Sequence, residues 1–353
     1  MFNLIKELTE LVGPVGQEGI VLDHIEKLWG GLGAKTERTR VGNVLARASN
    51  SLGGAQERVG KKLLIAAHGD ELCYLVRAID ADGFLFLANG QGWARTTDLR
   101  NAFTIGSRVK VLARTGIIPG VIASATGHIA SFTMPDFKEL TWNDFWVDTG
   151  LSREGLIARG VTPGTRIIWD SETVRWGDMI VGKALDDRVP LAVMTEMLRR
   201  VQPADYTWDV TLACTVQEEI GTIGAYALAA KEDFDAAIVV EIGLAGDIPT
   251  VGEKALPLAL GKGPGLIHKD SLIHYDYALT KAMEDCAAAN NIPIQHAVFT
   301  SFGSDGRSFM QADIPSAMIV FPARYTHSPF EMGHLGDMGQ MVDWLCAFVT
   351  QAG

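Results

Sequence analysis

The chain has 353 residues, 47% of them hydrophobic and 21% charged, which is ordinary for a globular protein and enough for one large domain plus a smaller one. Its 42 acidic side chains exceed its 31 basic ones and give a net charge of −11, which argues against nucleic acid as a partner because phosphates attract a basic surface. The sequence contains no run of about 18 apolar residues, so we predict no membrane span.

The N-terminal part has the apolar spacing of two helices followed by a strand. Apolar residues recur at helical intervals over residues 4–12, and Gly13-Pro14 ends this run. A second helix is predicted over residues 19–29. The short apolar run 62–67 is suited to a buried strand, and it carries His68 at its end.

The middle of the chain has a different pattern of apolar residues. From about residue 72 the helical periodicity disappears, and short β-rich pieces such as 108–112 are separated by Gly and Pro. We therefore predict a small β domain at residues 72–177. It would be inserted into a larger domain formed by residues 1–71 and 178–353.

After Gly182 strands and helices alternate again. Apolar alternation or short apolar runs predict strands at 210–216, 236–240 and 316–320, and helical spacing predicts helices at 194–201, 275–286 and 338–349. Strands that alternate with helices imply a largely parallel sheet sandwiched by helices.

The cysteines and the N-terminus bear on the compartment. Cys73, Cys214, Cys286 and Cys346 are widely spaced and form no CxxC pair. This pattern favours reduced, buried thiols over a disulfide framework or a thiolate metal site. The N-terminus lacks a basic segment followed by a long apolar core, so we expect a cytoplasmic protein without a secretory signal.

Side chains that can bind metals or carry protons follow the ends of several predicted strands, which is where sites form in open α/β sheets. They are His68 and Asp70, Asp186 and Asp187, Glu218 and Glu219, Glu241, and His327.

Each of these signals has an ordinary structural alternative when it is taken alone. Asp70 can orient the imidazole of His68 for a metal, or the pair can belong to a capped loop. One carboxylate of Glu218-Glu219 can bind metal while the other accepts a proton, or both can form a solvated turn.

The remaining signals have similar alternatives. Asp186 and Asp187 can bridge two ions or cap a helix. Glu241 can be a buried carboxylate paired with a basic side chain, and His327 a loop histidine. Together, however, two histidines and three carboxylates form an N/O ligand set that suits Zn²⁺, Co²⁺ or Mn²⁺. With one shared carboxylate, such a set can hold two ions roughly 3.5–4 Å apart.

The motifs resemble, in the same order, those of the glutamyl aminopeptidase and tetrahedral aminopeptidase family of co-catalytic metallopeptidases. The matching stretches are HGDE at 68–71, WVDTG at 146–150, GKALDDR at 182–188, VQEEIG at 216–221, EIGLAGDIP at 241–249, GKGP at 261–264, GSD at 303–305 and RYTHSP at 324–329.

The resemblance implies an α/β fold in which a mixed sheet is sandwiched by helices, as in zinc exopeptidases, with an inserted small β-barrel-like domain. It also implies two divalent metal ions per subunit, with zinc favoured over cobalt or manganese. The activity would be removal of N-terminal residues from peptides by metal-activated water. The subunits would form a homo-oligomer, commonly a dodecamer, with the insert serving oligomerisation and substrate access.

The resemblance assigns roles to single residues. His68 and Glu241 would hold one ion, Glu219 and His327 the other, and Asp186 would bridge them. Glu218 would be the general base and later the general acid, and Asp70 would orient His68. Asp187 would follow Asp186 across a peptide bond that is often cis in the family.

One position departs from the family pattern, because Glu241 stands where the family usually has Asp. This difference keeps two other hydrolases open on the same fold, a metal-dependent carboxypeptidase and an N-acyl amide hydrolase. Paired carboxylates also cleave sugars, so an endoglucanase-like hydrolase is a further alternative.

Overall fold

A mixed β-sheet runs through the larger part of the protein. The computed structural model describes residues 1–48, 61–90, 105–125, 141–249 and 251–351. In chain order the strands are β1 Lys35–Arg38, β2 Val44–Arg47, β3 Lys62–His68, β4 Tyr74–Ile79, β5 Leu85–Asn89, β6 Arg108–Ala113, β7 Gly116–Ala123, β8 Trp146–Asp148, β9 Arg166–Trp169, β10 Val174–Trp176, β11 Met179–Gly182, β12 Asp209–Thr215, β13 Ala236–Leu244, β14 Gly265–Lys269, β15 Gln295–Val298, β16 Ser316–Arg324 and β17 Glu331–His334.

The large sheet has parallel strands at its centre and antiparallel strands toward its edges. Its order is β1-β2-β12-β3-β13-β16-β17-β11-β10, and β14 and β15 extend it beside β16. The four neighbours β12, β3, β13 and β16 are mutually parallel, whereas β2, β17, β11 and β10 pair antiparallel. The carboxyl ends of the four parallel strands therefore meet at one edge of the sheet.

Helices cover both faces of this sheet. They are α1 Phe2–Glu10, α2 Gly19–Gly31, α4 Leu185–Arg200, α5 Ile223–Ala229, α6 Tyr277–Ala289, α7 Gly306–Gln311 and α8 Leu335–Thr350, while α3 Arg153–Ala158 lies in the middle segment. Successive side chains of a strand point to opposite faces of the sheet. Leu63 and Ile65 of β3 therefore belong to one hydrophobic core, and Leu64 and Ala66 belong to the other.

The middle segment forms a closed barrel of six strands in the order β4-β5-β8-β7-β6-β9. Its inward side chains, among them Leu87, Val111 and Val147, are fully buried and form a core of their own. The predicted fold class, a mixed sheet sandwiched by helices with a small β-barrel, is confirmed. Strand β10, at Val174–Trp176, pairs with the large sheet rather than with the barrel.

Strand β13 is longer than the sequence predicted. It continues past Val240 to Leu244, and Glu241 pairs in register with Val320 of β16. Glu241 therefore lies inside a strand and not after it.

Across the described residues no helix has the length and apolar character needed to cross a bilayer. All four cysteines are free, and three of them are buried.

Candidate metal centre

The fold brings the predicted site residues to the edge where the parallel strands end. His68 is the last residue of β3, and a short 3-10 turn, Glu218–Ile220, begins two residues after the end of β12. Glu241 lies in β13, between β3 and β16, and His327 follows β16. Residues from distant parts of the chain therefore meet because their strands are neighbours in the sheet.

A first group of ligand-type side chains consists of His68, Asp186, Asp187 and Glu241. All four are buried, and each offers an atom within 4.8 Å of the others'. The Nε2 atom of His68 lies 2.9 Å from Asp186 Oδ1 and 4.0 Å from Glu241 Oε1. The residue pattern had allowed Asp187 as a ligand beside Asp186, whereas the roles implied by the family resemblance gave Asp187 no ligand role.

A second group consists of Asp186, Glu219 and His327, again with ligand atoms within 4.8 Å of one another. The Nε2 atom of His327 lies 3.4 Å from Asp186 Oδ2 and 3.7 Å from Glu219 Oε2. Asp186 thus belongs to both groups, and it turns Oδ1 toward His68 and Oδ2 toward His327. This is the arrangement that a carboxylate shared by two cations requires.

The donor set fits divalent cations. Within the two groups, three buried atoms have no hydrogen-bond partner among the described residues: His68 Nδ1, Asp187 Oδ1 and Glu219 Oε1. Buried polar atoms without a partner are rare in proteins and point to an ion or water at the site. Imidazole and carboxylate donors suit zinc, cobalt or manganese.

The electrostatics of the site favour added positive charge. Burial raises the pKa of Glu219 to about 7 and that of Glu241 to about 8. Burial lowers the pKa of His327, but Glu219 and Asp186 outweigh it and raise that pKa to about 10. So many buried carboxylates repel one another, and cations between them would relieve that repulsion.

Glu218 lies beside these groups but belongs to neither of them. It is only partly buried, and burial followed by the charge of Asp305 raises its pKa well above the usual value of a glutamate. The 3-10 turn that carries it follows Gln217, which has a left-handed backbone with φ 54°, and ends at Gly221 with φ 122°. Glycine allows the second of these angles without steric cost.

Comparison with known proteins identifies the family. Residues 42–344 match the family model described as M42 glutamyl aminopeptidase. The chain belongs to this family. It is therefore a metallopeptidase of the aminopeptidase type, and the family finding favours this activity over the carboxypeptidase, amide hydrolase and endoglucanase alternatives.

Individual relatives extend over almost the whole chain. The glutamyl aminopeptidase of Lactococcus lactis is 25% identical over 359 residues, covering 99% of this chain and 96% of the relative. The structure of an aminopeptidase from the archaeon Desulfurococcus kamchatkensis superposes with a TM-score of 0.88 at 29% identity, covering 99% of this chain and 94% of that one. The dodecameric structure of PhTET1-12s gives a TM-score of 0.84 at 25% identity and covers 99% of both chains.

Asp70 has contacts that sequence reasoning missed in this peptidase. Its two carboxylate oxygens accept hydrogen bonds from the backbone N–H groups of Glu218 and Glu219, at 3.0 and 3.2 Å. Its distance to His68 Nδ1 is longer, 3.4 Å, and that nitrogen makes no hydrogen bond within the described part of the chain. Asp70 therefore links the segment of His68 to the turn of Glu218.

A second buried carboxylate, Glu331 of β17, has a similar pattern. Its oxygens accept the backbone N–H groups of Asp186, at 3.1 Å, and His327, at 2.8 Å. Neither hydrogen bond can be predicted from residue types, because every residue except proline has a backbone N–H. The sequence shows only that a glutamate follows the candidate ligand His327 by four residues.

A buried ion pair joins two other segments of the site. Lys183 Nζ donates to Glu71 Oε2 at 2.6 Å, and both side chains are almost fully buried. Burial lowers the pKa of Lys183, while Glu71 opposes that shift. The pair ties the segment after His68 to the segment that leads into Asp186. The peptide bond between Asp186 and Asp187 is cis, as the resemblance implied.

Proposed function

We propose that this chain is a dinuclear metal-dependent aminopeptidase in which Glu218 is the general base and then the general acid. The proposal rests on the position of the Asp186 carboxylate between two histidines. Its Oδ1 lies 2.9 Å from His68 Nε2, and its Oδ2 lies 3.4 Å from His327 Nε2. A side chain placed in this way can serve two neighbouring cation sites.

The proposed ligands follow the two groups of the candidate metal centre. His68 and Glu241 would hold one ion, Glu219 and His327 the other, and Asp186 would contribute to both. When bound, two divalent ions lower the pKa of water and polarise a peptide carbonyl. Zinc suits this ligand set, and cobalt or manganese would also be accepted.

The chain's own residues would then move the proton. The Glu218 carboxylate takes a proton from the attacking water and delivers it to the nitrogen of the leaving amine. Its partial exposure lets it reach substrate, and Asp70 holds the turn beneath it through two backbone N–H groups.

Adjacent glutamates provide a matched pair for the test. We expect Glu218→Gln to lower kcat by roughly 10²–10⁴-fold while both metal ions remain bound, because the amide cannot accept the proton. Glu219→Gln should instead lose affinity for one ion. Both variants would be measured as apo protein reloaded with zinc, cobalt or manganese, with metal content determined beside turnover. A fully active Glu218→Gln would refute the assigned base.

The substrate class is tested with the same protein. A panel of aminoacyl arylamides should be hydrolysed, whereas peptides with a blocked N-terminus should not. Turnover of blocked peptides alone would instead favour the carboxypeptidase or amide hydrolase alternatives.

We also propose that the chain assembles into a homo-oligomer and that residues 72–177, apart from strand β10 of the large sheet, form a separate domain for assembly and substrate access. The dodecameric state of PhTET1-12s supports this by analogy. The barrel segment itself exposes apolar side chains, including Ile117 at 52% and Ile157 at 52%. Exposed apolar surface of this kind is typical of an interaction site. The free cysteines are compatible with a cytoplasmic location.

A further inference from the structure

We propose that Glu331 is a positioning residue that sets the second of the two metal sites by holding Asp186 and His327 through their backbones. The inference rests on the proposed dinuclear function and adds to it a residue that belongs to neither group of ligand atoms.

The contacts of Glu331 define this role. The side chain is buried, with 2% of its surface exposed. Its Oε2 accepts from Asp186 N at 3.1 Å, and its Oε1 accepts from His327 N at 2.8 Å. The carboxyl group of glutamate has two oxygens, so one side chain can accept from both amides at once.

The position of Glu331 in the sheet explains why it reaches both segments. Strand β17 lies between β11 and β16, and these two strands lead into Asp186 and His327 respectively. Glu331 pairs in register with Gly182, the last residue of β11, and the next residue, Met332, pairs with Arg324, the last residue of β16. Its side chain therefore starts where both neighbouring strands leave the sheet.

The backbone of His327 needs such support. Its φ angle is 61°, in the left-handed region that is unfavourable for a residue with a Cβ atom. The hydrogen bond from His327 N to Glu331 holds this conformation and with it the direction of the imidazole. Outer contacts that orient metal ligands contribute strongly to metal affinity.

Asp337 provides a matched control elsewhere in the chain. It is also 2% exposed. Its two oxygens accept the backbone N–H groups of Gly261, at 2.7 Å, and Gly263, at 2.8 Å. The bonding pattern is the same, but the loop it holds carries none of the proposed ligands. A variant at Asp337 thus measures the cost of losing such a carboxylate without disturbing a ligand.

The experiment is a titration of the metal-free full chain with zinc, in which calorimetry measures the affinities. Metal analysis after dialysis gives the number of zinc ions that stay bound. In Glu331→Gln one acceptor oxygen becomes an NH₂ group, so one of the two backbone amides loses its partner. We expect affinity for one of two zinc ions to fall about 10–100-fold, as is typical when such outer contacts are removed. Affinity for the other ion should fall less, because only its shared ligand Asp186 is held by Glu331, and both affinities in Asp337→Asn should match the parent.

A double-mutant cycle with His327→Ala separates positioning from a general loss of stability. If Glu331 acts through His327, Glu331→Gln should cost less zinc affinity in the His327→Ala background than in the parent. An equal cost in both backgrounds would overturn the inference. Thermal melting would report folding of each variant, and Glu331→Asp, which keeps the carboxyl group but has a shorter reach, would replace a Gln variant that does not fold.

The outcomes distinguish the inference from the function on which it rests. A parent chain that binds fewer than two zinc ions would overturn the dinuclear proposal. A parent that binds two ions, together with a Glu331→Gln variant that binds both at parental affinity, would overturn only the role of Glu331.

Discussion

At the scale of a single residue, Glu241 has one methylene group more than the aspartate that is usual at this position of the family. Its Oε1 accepts from the backbone N–H of the next residue, Ile242, at 2.9 Å and lies 4.0 Å from His68 Nε2. The backbone at this position is fixed, because Glu241 pairs in register with Val320 in the middle of the sheet. The extra length relative to the family's usual aspartate is therefore taken up by the side chain.

We expect Glu241→Asp to weaken binding of one zinc ion by about 10–100-fold, since the shorter carboxylate would withdraw from His68 while the strand stays in place. Zinc titration would measure the change. The second ion, for which we propose Glu219 and His327 as ligands, is the internal control and should keep its affinity. Unchanged binding of both ions would contradict the expectation that the length of this carboxylate side chain sets the affinity.

The candidate ligands were predictable at this scale, and their supports were not. His68, Glu219 and His327 stand out because polar side chains that follow apolar strands are unusual. Glu331 also carries a carboxylate, but its contacts are with the backbone amides of Asp186 and His327, which the sequence does not predict.

At the scale of elements, the connection from β12 to α5 determines where Glu218 lies. Asn43 is fully buried and holds both ends of this connection. Its Oδ1 accepts from Val216 N at 3.2 Å, and its Nδ2 donates to Gly224 O at 2.8 Å. On the other side, Thr222 Oγ1 lies 2.7 Å from Ser308 Oγ of α7. The turn is thus fixed from two directions.

Gly224 tests whether this close packing matters. A Cβ atom at Gly224 would lie 2.5 Å from Val216 N and 2.7 Å from Val216 O, both of them backbone atoms that cannot move aside independently. We expect Gly224→Ala to lower the free energy of unfolding by about 1–3 kcal/mol, as overpacking does. Because the turn must shift, kcat should fall as well. Chemical denaturation and steady-state kinetics would measure the two effects.

Gly31, at the end of α2, is the matched control because a Cβ atom there would meet nothing within 4 Å. Gly31→Ala should leave kcat unchanged and stabilise the protein by about 0.4–1 kcal/mol, through a smaller entropy of the unfolded chain. A Gly224→Ala variant as stable and active as the parent would show that the turn tolerates displacement.

At the scale of the whole molecule, the barrel segment has a core of its own and also exposes apolar residues. Ile117 and Val121 of β7 are 52% and 37% exposed, and Trp176, on β10 just beyond the barrel, is 61% exposed. Burial of such residues against other subunits would contribute to assembly through the hydrophobic effect.

We expect light scattering after gel filtration to give a mass several times that of the 38.1 kDa chain. Ile117→Asp should shift the protein to smaller species, because a charge buried in an interface without a partner is unfavourable. Gln202→Asp, at an exposed polar residue that follows α4, is the control and should assemble like the parent. A parent with the mass of one chain would contradict the proposed oligomer.

Local patterns in the sequence determined the elements and the chemical types of the site. Helical spacing predicted α1 and α2, the apolar run 62–67 predicted β3, and Gly and Pro spacing predicted a small β unit. The ligand types were evident because each follows or interrupts an apolar run. These features depend on residues close together in the chain, so a single sequence contains them.

Only the tertiary structure decided which residues meet. The order of the parallel strands brings His68 beside Glu241, and the two oxygens of Asp186 face different histidines. The supports of the site depend on backbone amides and on strand register, as with Glu331 between β11 and β16. Backbone amides are chemically alike at nearly every residue, so their partners are chosen by the packing of the whole chain and not by local sequence.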